Sequence, residues 1–144
     1  MNYEHNEIKI KEATYKDLKI LYKWFNAKED LQYKFVNNKQ TNLNEHKIWF
    51  KKILNDKKSK IYLFELNKIP VGQVRFETKN DLVKISFSVD ISYREKGFGK
   101  NMLSLAMKSC NLINKYYFAQ VKNFNTPSIK IFRSLNFNEK YEND

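Results

Sequence analysis

The chain has 144 residues, of which 42% are hydrophobic and 15% aromatic, and we expect one domain over residues 1–144 with its own core. Its net charge of +11 comes mostly from scattered lysines, which argues against a nucleic-acid arm and favours a solvated surface that attracts anionic ligands. Two histidines and one cysteine make no metal-ligand cluster, and neither a membrane-spanning run nor a signal peptide is apparent. The composition therefore predicts a cytoplasmic protein without a metal, membrane or nucleic-acid partner.

The first part of the chain predicts one strand and two helices. Apolar and polar residues alternate over Ile8–Lys11, as in a strand, and Thr14 with Asp17 forms a capping box that opens the first helix. The buried face of that helix carries apolar residues at helical spacing: Leu18, Leu21, Tyr22 and Phe25. Asn42 with Glu45 caps a second helix. Its apolar residues are expected to face the core: Ile48, Trp49, Phe50, Ile53 and Leu54.

Three strands are predicted next, because three runs are rich in β-branched and aromatic residues. They cover Ile61–Leu66, Val71–Thr78 and Leu82–Asp90, and short polar connections separate them. Connections of this length join neighbouring antiparallel strands, so the sequence predicts an antiparallel meander.

The remainder predicts the longest helix, a strand and a last helix. The long helix is expected over Phe98–Asn114 with Cys110 buried inside it, and the strand over Tyr117–Lys122. Thr126 before Pro127 opens the last helix, which runs to Leu135, and a final strand at Phe137–Tyr141 is also considered. The order β-α-α-β-β-β-α-β-α(-β) predicts an α+β fold, a mixed central sheet flanked by helices.

A basic loop with two glycines stands between the third strand of the meander and the long helix. Gly97 and Gly99 lack a Cβ, so the backbone can turn tightly and bring its N–H groups close to a ligand. The start of a helix adds unpaired donors and the positive end of the helix dipole. Arg94, Lys96 and Lys100 add cationic side chains, so the loop predicts a pyrophosphate cradle.

These motifs resemble those of the GNAT superfamily of acetyl-CoA-dependent N-acyltransferases. The family signature, a strand ending in Val-Asp and then Gln or Arg-x-x-Gly-x-Gly, is similar to the stretch from Val89 and Asp90 to Gly99. A second motif, Asn and then a helix with an aromatic-x-x-Leu-Gly-Phe ending, resembles Asn125 to Phe137. The resemblance implies the GNAT fold over nearly the whole chain, with acetyl-CoA as co-substrate.

The resemblance also implies the residues that bind acetyl-CoA. They lie on the strand before the loop, in the loop and on the last helix: Phe87, Ser88, Val89, Arg94, Glu95, Lys96, Gly97, Phe98, Gly99, Lys100, Asn125, Ser128 and Phe132. In the family, the strands that correspond to Phe87–Asp90 and Tyr117–Lys122 splay apart and expose backbone groups. The Val89 N–H is then the expected donor to the oxyanion.

The first half of the chain is most similar to GNAT enzymes that acetylate amino sugars linked to nucleotides, including those of pseudaminic and legionaminic acid synthesis. The residues implied to bind this substrate are Trp24, Asn26, Trp49 and Arg75. Both tryptophans are equally compatible with a role in the core, and Asn125 with a role as a helix cap. Related enzymes that acetylate protein N-termini share parts of the pattern, so a peptide amine stays as an alternative acceptor.

The usual catalytic side chains of the family are missing. Phe132 stands where many relatives have a tyrosine near the leaving thiolate, and Lys84 where a strand glutamate often acts as base. Glu77, His46 and Ser88 are weak candidates, so deprotonation of the amine through water is expected. A noncatalytic acetyl-CoA-binding regulatory domain is the alternative from another class. The short C-terminus, finally, leaves open a homodimer in which a partner completes the sheet edge.

Overall fold

A five-stranded mixed sheet organises the part of the chain that the computed structural model describes, which is residues 8–35, 39–110 and 115–142. The strands lie side by side in chain order: β1 (Ile8–Glu12), β2 (Ser59–Leu66), β3 (Ile69–Lys79), β4 (Leu82–Val89) and β5 (Tyr116–Phe118). Strands β1 to β4 pair antiparallel, and β5 pairs parallel to β4. The helices are α1 (Leu18–Phe25), α2 (Lys28–Leu31), α3 (Leu43–Leu54), α4 (Phe98–Ser109) and α5 (Thr126–Ser134). The predicted α+β fold is confirmed.

The predicted meander is confirmed, and its turns explain its register. Asn67 and Lys68 both adopt positive φ, 51° and 68°, which is the backbone of the two-residue turn that matches the twist of a hairpin. Asn80 reverses the chain again with a φ of 58°. The resulting register places Gln73 opposite Leu63 and also opposite Ser88.

Two apolar layers cover the two faces of the sheet. Helices α4 and α5 pack on one face, around a core that includes Phe64, Val74, Phe76, Val83, Ile85, Phe98, Met102 and Phe132. Helices α1 and α3 pack on the other face, mainly against β2, around a smaller core that includes Leu21, Trp24, Phe50, Ile53, Ile61 and Leu63. Strands β3 and β4 contribute to the first core only.

Helix α1 begins as predicted, with a 3₁₀ turn over Tyr15–Asp17 in front of it. The Thr14 N–H donates to Asp17 Oδ2 at 2.8 Å, which is one half of the predicted capping box. The short helix α2 was not predicted, because four residues are too few for a periodic pattern to show.

Helix α3 is capped as predicted, because Asn42 Oδ1 accepts the Glu45 N–H at 2.8 Å. The prediction that Ile48 faces the core is wrong, since this side chain is 71% exposed. The face that packs on β2 carries Phe50 and Ile53 instead, with His46 one turn earlier. Ile48 lies on the opposite side of the helix.

Helix α4 is shorter than predicted, and it ends at Ser109. Cys110 is its C-cap, with an extended backbone, and is half-buried rather than buried inside a helix. The Tyr62 hydroxyl, whose pKa burial raises to about 12, donates to the Ser109 carbonyl at 3.2 Å and so satisfies one terminal acceptor. Residues 111–114, the rest of the predicted helix, lie outside the described residues.

The C-terminal part differs from prediction in three places. Strand β5 ends at Phe118 rather than Lys122, and Asn125 rather than Thr126 is the N-cap of α5. Residues 137–142 form no strand, so the final strand considered from the sequence is absent from the described residues.

Instead of a strand, a local motif closes α5. Asn136 has a φ of 66°, the Phe137 N–H bonds the Phe132 carbonyl at 3.1 Å, and the Asn136 N–H bonds the Arg133 carbonyl at 3.0 Å. This is the Schellman arrangement, with the rings of Phe132 and Phe137 in contact at 5.1 Å. Asparagine serves here in place of the glycine common at such positions, because it tolerates the left-handed backbone.

We expect Gly72→Ala to lower the free energy of unfolding by about 1–3 kcal/mol, the usual cost of overpacking. A Cβ at Gly72 would lie 2.6 Å from the Ser88 carbonyl oxygen and 2.6 Å from Met102 Cε, and the backbone of β4 cannot move aside as a side chain can. Denaturant titration of the ligand-free protein measures the effect.

Gly99→Ala is the matched control, because its Cβ would meet the flexible end of Ile131 at 2.8 Å. We expect a smaller loss for that variant. Equal free energies of unfolding for Gly72→Ala and the parent protein would show that the sheet can shift to accommodate the added Cβ.

Candidate active site

Strands β4 and β5 separate after a short stretch of pairing. Their register covers only Leu82 to Lys84 on β4 and Tyr116 to Phe118 on β5. The Asp90 N–H donates across to the Val71 carbonyl of β3 at 2.8 Å. Since backbone groups alternate along a strand, those of Val89 and Phe87 point away from β3, toward the side where β5 has diverged. The splay that the resemblance implies is therefore present, with the Val89 N–H at its edge.

The loop after β4 has the backbone of an anion-binding turn. Glu95 and Gly97 both have positive φ, 63° and 83°, and Gly97 is the N-cap of α4. A left-handed residue followed by helical Phe98 turns successive N–H groups to one side. The first turn of α4 adds the positive end of a helix dipole, which favours an anion. Glu95, Lys96 and Lys100 are exposed around this turn.

Gly97 and Gly99 serve different purposes in this loop. The φ of Gly97 is one that residues with a Cβ rarely adopt. Gly99 is buried, and a Cβ there would meet Ile131 of α5 at 2.8 Å and Phe87 of β4 at 3.4 Å. Gly99 therefore lets α4 approach α5 and β4, a packing requirement that the sequence did not indicate.

Arg94 is bonded within the chain. Its Nε donates to the Val89 carbonyl at 3.0 Å, and its Nη2 pairs with Asp30 Oδ2 of α2 at 2.6 Å. Arg94 therefore fixes the end of β4 and ties it to α2, at the edge of the predicted cradle.

The far side of the splay is formed by the loop after β5 and by α5. Asn125 Oδ1 accepts the Ser128 N–H at 3.4 Å, which is the capping role expected from its chemistry. Phe132 is buried, with its ring against Phe87 at 5.8 Å. The predicted cofactor residues thus lie on three neighbouring elements beside the gap between β4 and β5, namely β4, the loop after it and α5.

Contacts between loops connect the two sides of this gap. Lys122, which follows β5, donates from Nζ to the Gln32 carbonyl at 3.0 Å. The rings of Tyr33 and Phe124 lie 5.7 Å apart. The segment after α2 therefore packs on the loop after β5.

A strip of polar side chains lies on the α1/α3 face of β3 and β4, and we call it the polar floor. It consists of three cross-strand pairs: Gln73 with Ser88, Arg75 with Ser86, and Glu77 with Lys84. On β2, Leu63 pairs with Gln73 and Ile61 pairs with Arg75. Leu63 and Ile61 belong to the smaller core, so Gln73 and Arg75 lie on the same face of the sheet as that core. The helices cover β2, so the same face of β3 and β4 carries no apolar core. A surface groove of about 500 Å³ at one end of the floor is lined by Glu77, Lys84 and Phe118, among others.

Phe25 and Trp49 form an aromatic wall beside the polar floor, with ring centroids 5.1 Å apart. The Arg75 guanidinium carbon lies 5.2 Å from the Phe25 centroid and 5.1 Å from the Trp49 centroid. Arg75 Nε also pairs with Glu77 Oε1 at 2.6 Å. The structure thus brings together two predicted substrate residues, Trp49 and Arg75, with the candidate base Glu77.

The other two predicted substrate residues lie apart from that wall. Trp24 is buried and its Nε1 donates to Asp90 Oδ2 at 2.9 Å. Asn26 is also buried, with Oδ1 accepting the Thr41 N–H at 2.5 Å and Nδ2 donating to the Tyr22 carbonyl at 2.9 Å. Both line a separate cavity of about 300 Å³ that reaches Arg94. Their contact with substrate stays a prediction.

His46 is enclosed by aromatic rings and is only 3% exposed. Its ring stacks on Phe50 at 6.0 Å and lies 5.6 Å from that of Trp49. Burial lowers its pKa below the usual 6.5, a hydrogen bond with the Leu18 backbone opposes the shift, and the charge of Lys34 adds to it. Within the described part of the chain no group bonds the buried Nε2, which lies behind the aromatic wall.

Two functional candidates were missed from the sequence. Gln73 was not singled out, although polar residues at every second position from Gln73 to Glu77 were a signal for one polar face of β3. Lys34, which donates from Nζ to the Phe25 carbonyl, lies in a segment whose sequence carries no such signal.

The described residues contain neither a candidate metal site nor a helix that could span a membrane. Over residues 8–35, 39–110 and 115–142, no three His, Cys, Asp or Glu residues are grouped to hold a metal ion. Among the helices of that part of the chain, none has the length and apolar character to cross a membrane.

A family model described as an acetyltransferase (GNAT) domain matches residues 7–138. No curated protein sequence matches significantly.

Solved structures similar to this chain include three with little sequence identity. Spermidine N-acetyltransferase from Vibrio cholerae, in complex with CoA and spermine, has a TM-score of 0.83 and 16% identity over 94% of this chain and 83% of that one. A domain from Methanocaldococcus jannaschii has a TM-score of 0.81 and 23% identity over 94% and 91%. YncA from Salmonella typhimurium, with its cofactor acetyl-CoA, has a TM-score of 0.76 and 19% identity over 92% and 80%. At these identities they share the fold.

We expect acidification to destabilise the protein through His46. Because folding lowers the pKa of His46, the folded protein binds fewer protons at this residue than the unfolded chain does. The free energy of unfolding is therefore unaffected by His46 above about pH 6.5, and it decreases as the pH falls from there toward the folded pKa. The loss is at most about 1.4 kcal/mol for each pH unit in that window.

Denaturant unfolding at about pH 7.5 and about pH 5.0 tests this expectation. His46→Phe keeps an aromatic ring against Phe50 and removes the titrating group, so it should lose less stability than the parent protein on acidification. The same loss in both proteins would assign the pH dependence to other groups.

Proposed function

Since this chain belongs to the GNAT acetyltransferase family, we propose that the acceptor of its acetyl-CoA-dependent N-acetyltransferase activity is the primary amine of a nucleotide-linked 4-amino sugar. The acetyl-CoA dependence is common to the family, and similar structures contain CoA or acetyl-CoA. The observation that carries the choice of acceptor is the polar floor, a face of the sheet lined with charged and hydroxyl side chains.

The residues present fit acetyl-CoA. The turn at Gly97 and Phe98 directs backbone N–H groups and a helix N-terminus to one side, which suits a pyrophosphate. Lys96 and Lys100 add charge to the same turn. The Val89 N–H and the backbone groups of Phe87 point away from β3, which suits the amides of a pantetheine arm. Bound acetyl-CoA supplies the thioester, which is the activated acyl donor.

The chain's own contribution to the reaction is placement and electrostatic stabilisation. The Val89 N–H is available on the open side of β4, where it can donate to the acetyl oxygen as negative charge develops. Arg94 holds the Val89 carbonyl at 3.0 Å and so fixes the orientation of the strand end. Ser88 presents a hydroxyl on the polar floor, one residue away.

Proton transfer rests on water in this proposal. Glu77 is held in an ion pair with Arg75, and His46 lies behind the aromatic wall, so neither meets the amine directly. Phe132 cannot donate a proton to the leaving thiolate. A thiol has a pKa of about 8.5, so the thiolate is a stable enough leaving group without an acid.

The polar floor supports a sugar acceptor. Ser86, Ser88 and Gln73 offer hydrogen bonds to sugar hydroxyls, and the Trp49 ring offers an apolar face to a sugar ring. The cations Arg75 and Lys84 suit the phosphates of a linked nucleotide. A peptide N-terminus is the alternative acceptor, and a noncatalytic acetyl-CoA sensor is the alternative without turnover.

We expect Gly97→Val to weaken acetyl-CoA binding about tenfold or more, because a β-branched residue in the left-handed region costs roughly 1–3 kcal/mol and distorts the turn. Gly97→Asn is the matched control, since asparagine tolerates that region. Calorimetric titration of both variants with acetyl-CoA measures the effect. Unchanged affinity of Gly97→Val would remove this turn from the binding site.

The choice of acceptor is tested by thiol release from acetyl-CoA with a panel of UDP-linked 4-amino sugars and N-terminal peptides. We expect release with a sugar. Release with a peptide alone would move the activity to protein acetylation, and acetyl-CoA binding without release on the whole panel would favour the sensor.

A further inference from the structure

We infer that Arg75 recognises an anionic group, a carboxylate or a phosphate, on the acceptor, at a distance from the reacting amine. The inference rests on the proposed function only in taking the polar floor as the acceptor site. It applies whether the acceptor is a sugar or another amine, and it excludes polyamines as preferred acceptors.

Arg75 is prepared for such a ligand. Its Nε is engaged by Glu77 at 2.6 Å, and the hydrogen bonds of the described residues leave Nη1 and Nη2 without a partner. The side chain is 19% exposed, so these nitrogens are partly desolvated but reachable. The rings of Phe25 and Trp49 hold the guanidinium through cation-π contacts at 5.2 and 5.1 Å. A fixed fork with a free edge is the geometry that binds carboxylate or phosphate.

The charges around Arg75 are unbalanced. Glu77 is the one anion of the polar floor, whereas Arg75 and Lys84 are both cations. Lys34 adds a third positive charge close by, with its Nζ bonded to the Phe25 carbonyl. Lys34 and Arg75 both contact Phe25, one at its carbonyl and the other at its ring. Burial lowers the pKa of Lys34 and repulsion from Arg75 lowers it further, whereas the charge of Asp30 opposes the shift. An anionic ligand relieves this repulsion, and a polycation increases it.

The other end of the polar floor indicates where the amine lies. Gln73 is 2% exposed, and no described residue bonds its Oε1, although its Nε2 donates to Ser88 Oγ at 3.1 Å. A buried acceptor without a donor is costly, so a donor from the ligand belongs there. Gln73 and Ser88 lie next to Gly72 and Val89 in the register, at the level of the splay.

The spacing follows from strand geometry. Gly72, which pairs with Val89, and Arg75 lie three residues apart on β3, or about 10 Å at the usual rise of a strand. The acceptor therefore carries its amine and its anionic group about 10 Å apart. An α-amino acid is too short to meet both ends of the floor.

Matched straight-chain amines test the inference. The acceptors are 8-aminooctanoate, 8-aminooctyl phosphate, 8-aminooctanol and 1,8-diaminooctane, with glycine as the short anion. Thiol release gives kcat/KM for each. We expect the two anionic long acceptors to exceed the alcohol about tenfold or more, as hydrogen bonds to a charged group imply, with the diamine and glycine poorest. The ratio of carboxylate to phosphate then identifies which anion fits.

Variants assign the preference to Arg75. Arg75→Met removes the charge and should make the acid and the alcohol equal, and Arg75→Lys keeps the charge without the fork and should retain part of the preference. Lys52→Gln removes an exposed cation from α3 and should leave the preference unchanged. Acetyl-CoA affinity and the thermal unfolding transition show that each variant is folded.

A binding measurement keeps the inference testable without turnover. The N-acetylated acid and alcohol are titrated by NMR into protein saturated with CoA, and the acid should bind more tightly, by a margin that Arg75→Met removes. Equal binding of acid and alcohol, or a preference that survives in Arg75→Met, would overturn the inference. If nucleotide-linked sugars are not acetylated but anionic acceptors are still preferred, the proposed sugar acceptor is wrong and the role of Arg75 stands.

Discussion

The separation of β5 from β4 is the constraint on which the rest of the molecule depends. A strand in the middle of a sheet must satisfy its backbone groups on both sides, and beyond Lys84 no described strand pairs with β4 on the side away from β3. On that side Arg94 Nε donates to the Val89 carbonyl. The open side makes β4 a candidate binding surface. The glycine turn follows directly from the end of β4, so the turn and the open strand edge form one continuous candidate site.

The two faces of the sheet divide the remaining tasks. The face under α4 and α5 holds the larger core, and there Gly72 and Gly99 allow close approach. The other face has a core over β2 and the polar floor over β3 and β4. A buried hydrogen bond from Trp24 to Asp90 ties the helices of the second face to the start of the loop. Burial alone would raise the pKa of Asp90, but the bonds from Trp24 and Ser92 and the charge of Lys23 outweigh it and lower the pKa.

Sequence predicted the features whose causes are local. The caps at Thr14 and Asn42, the turn at Asn67 and the glycine loop each depend on a few neighbouring residues. The end of α4 was not predicted, and the residue that bonds its last carbonyl, Tyr62, is 47 residues away in the sequence. The polar floor needed the register of two hairpins, and the contact of Lys34 with the Phe25 carbonyl needed the fold of the whole α1–α3 segment. Site residues within one motif were thus accessible, and those assembled from several elements were not.

The composition of the polar floor bears on how such a protein can diversify. The six side chains of the polar floor are not the side chains that fill the core, and the aromatic wall beside them stands at the edge of the smaller core. Substitutions on the floor therefore leave the main source of folding energy in place. Selectivity and foldability are separable in this scaffold, so new acceptors can be acquired by changing a few positions on two adjacent strands.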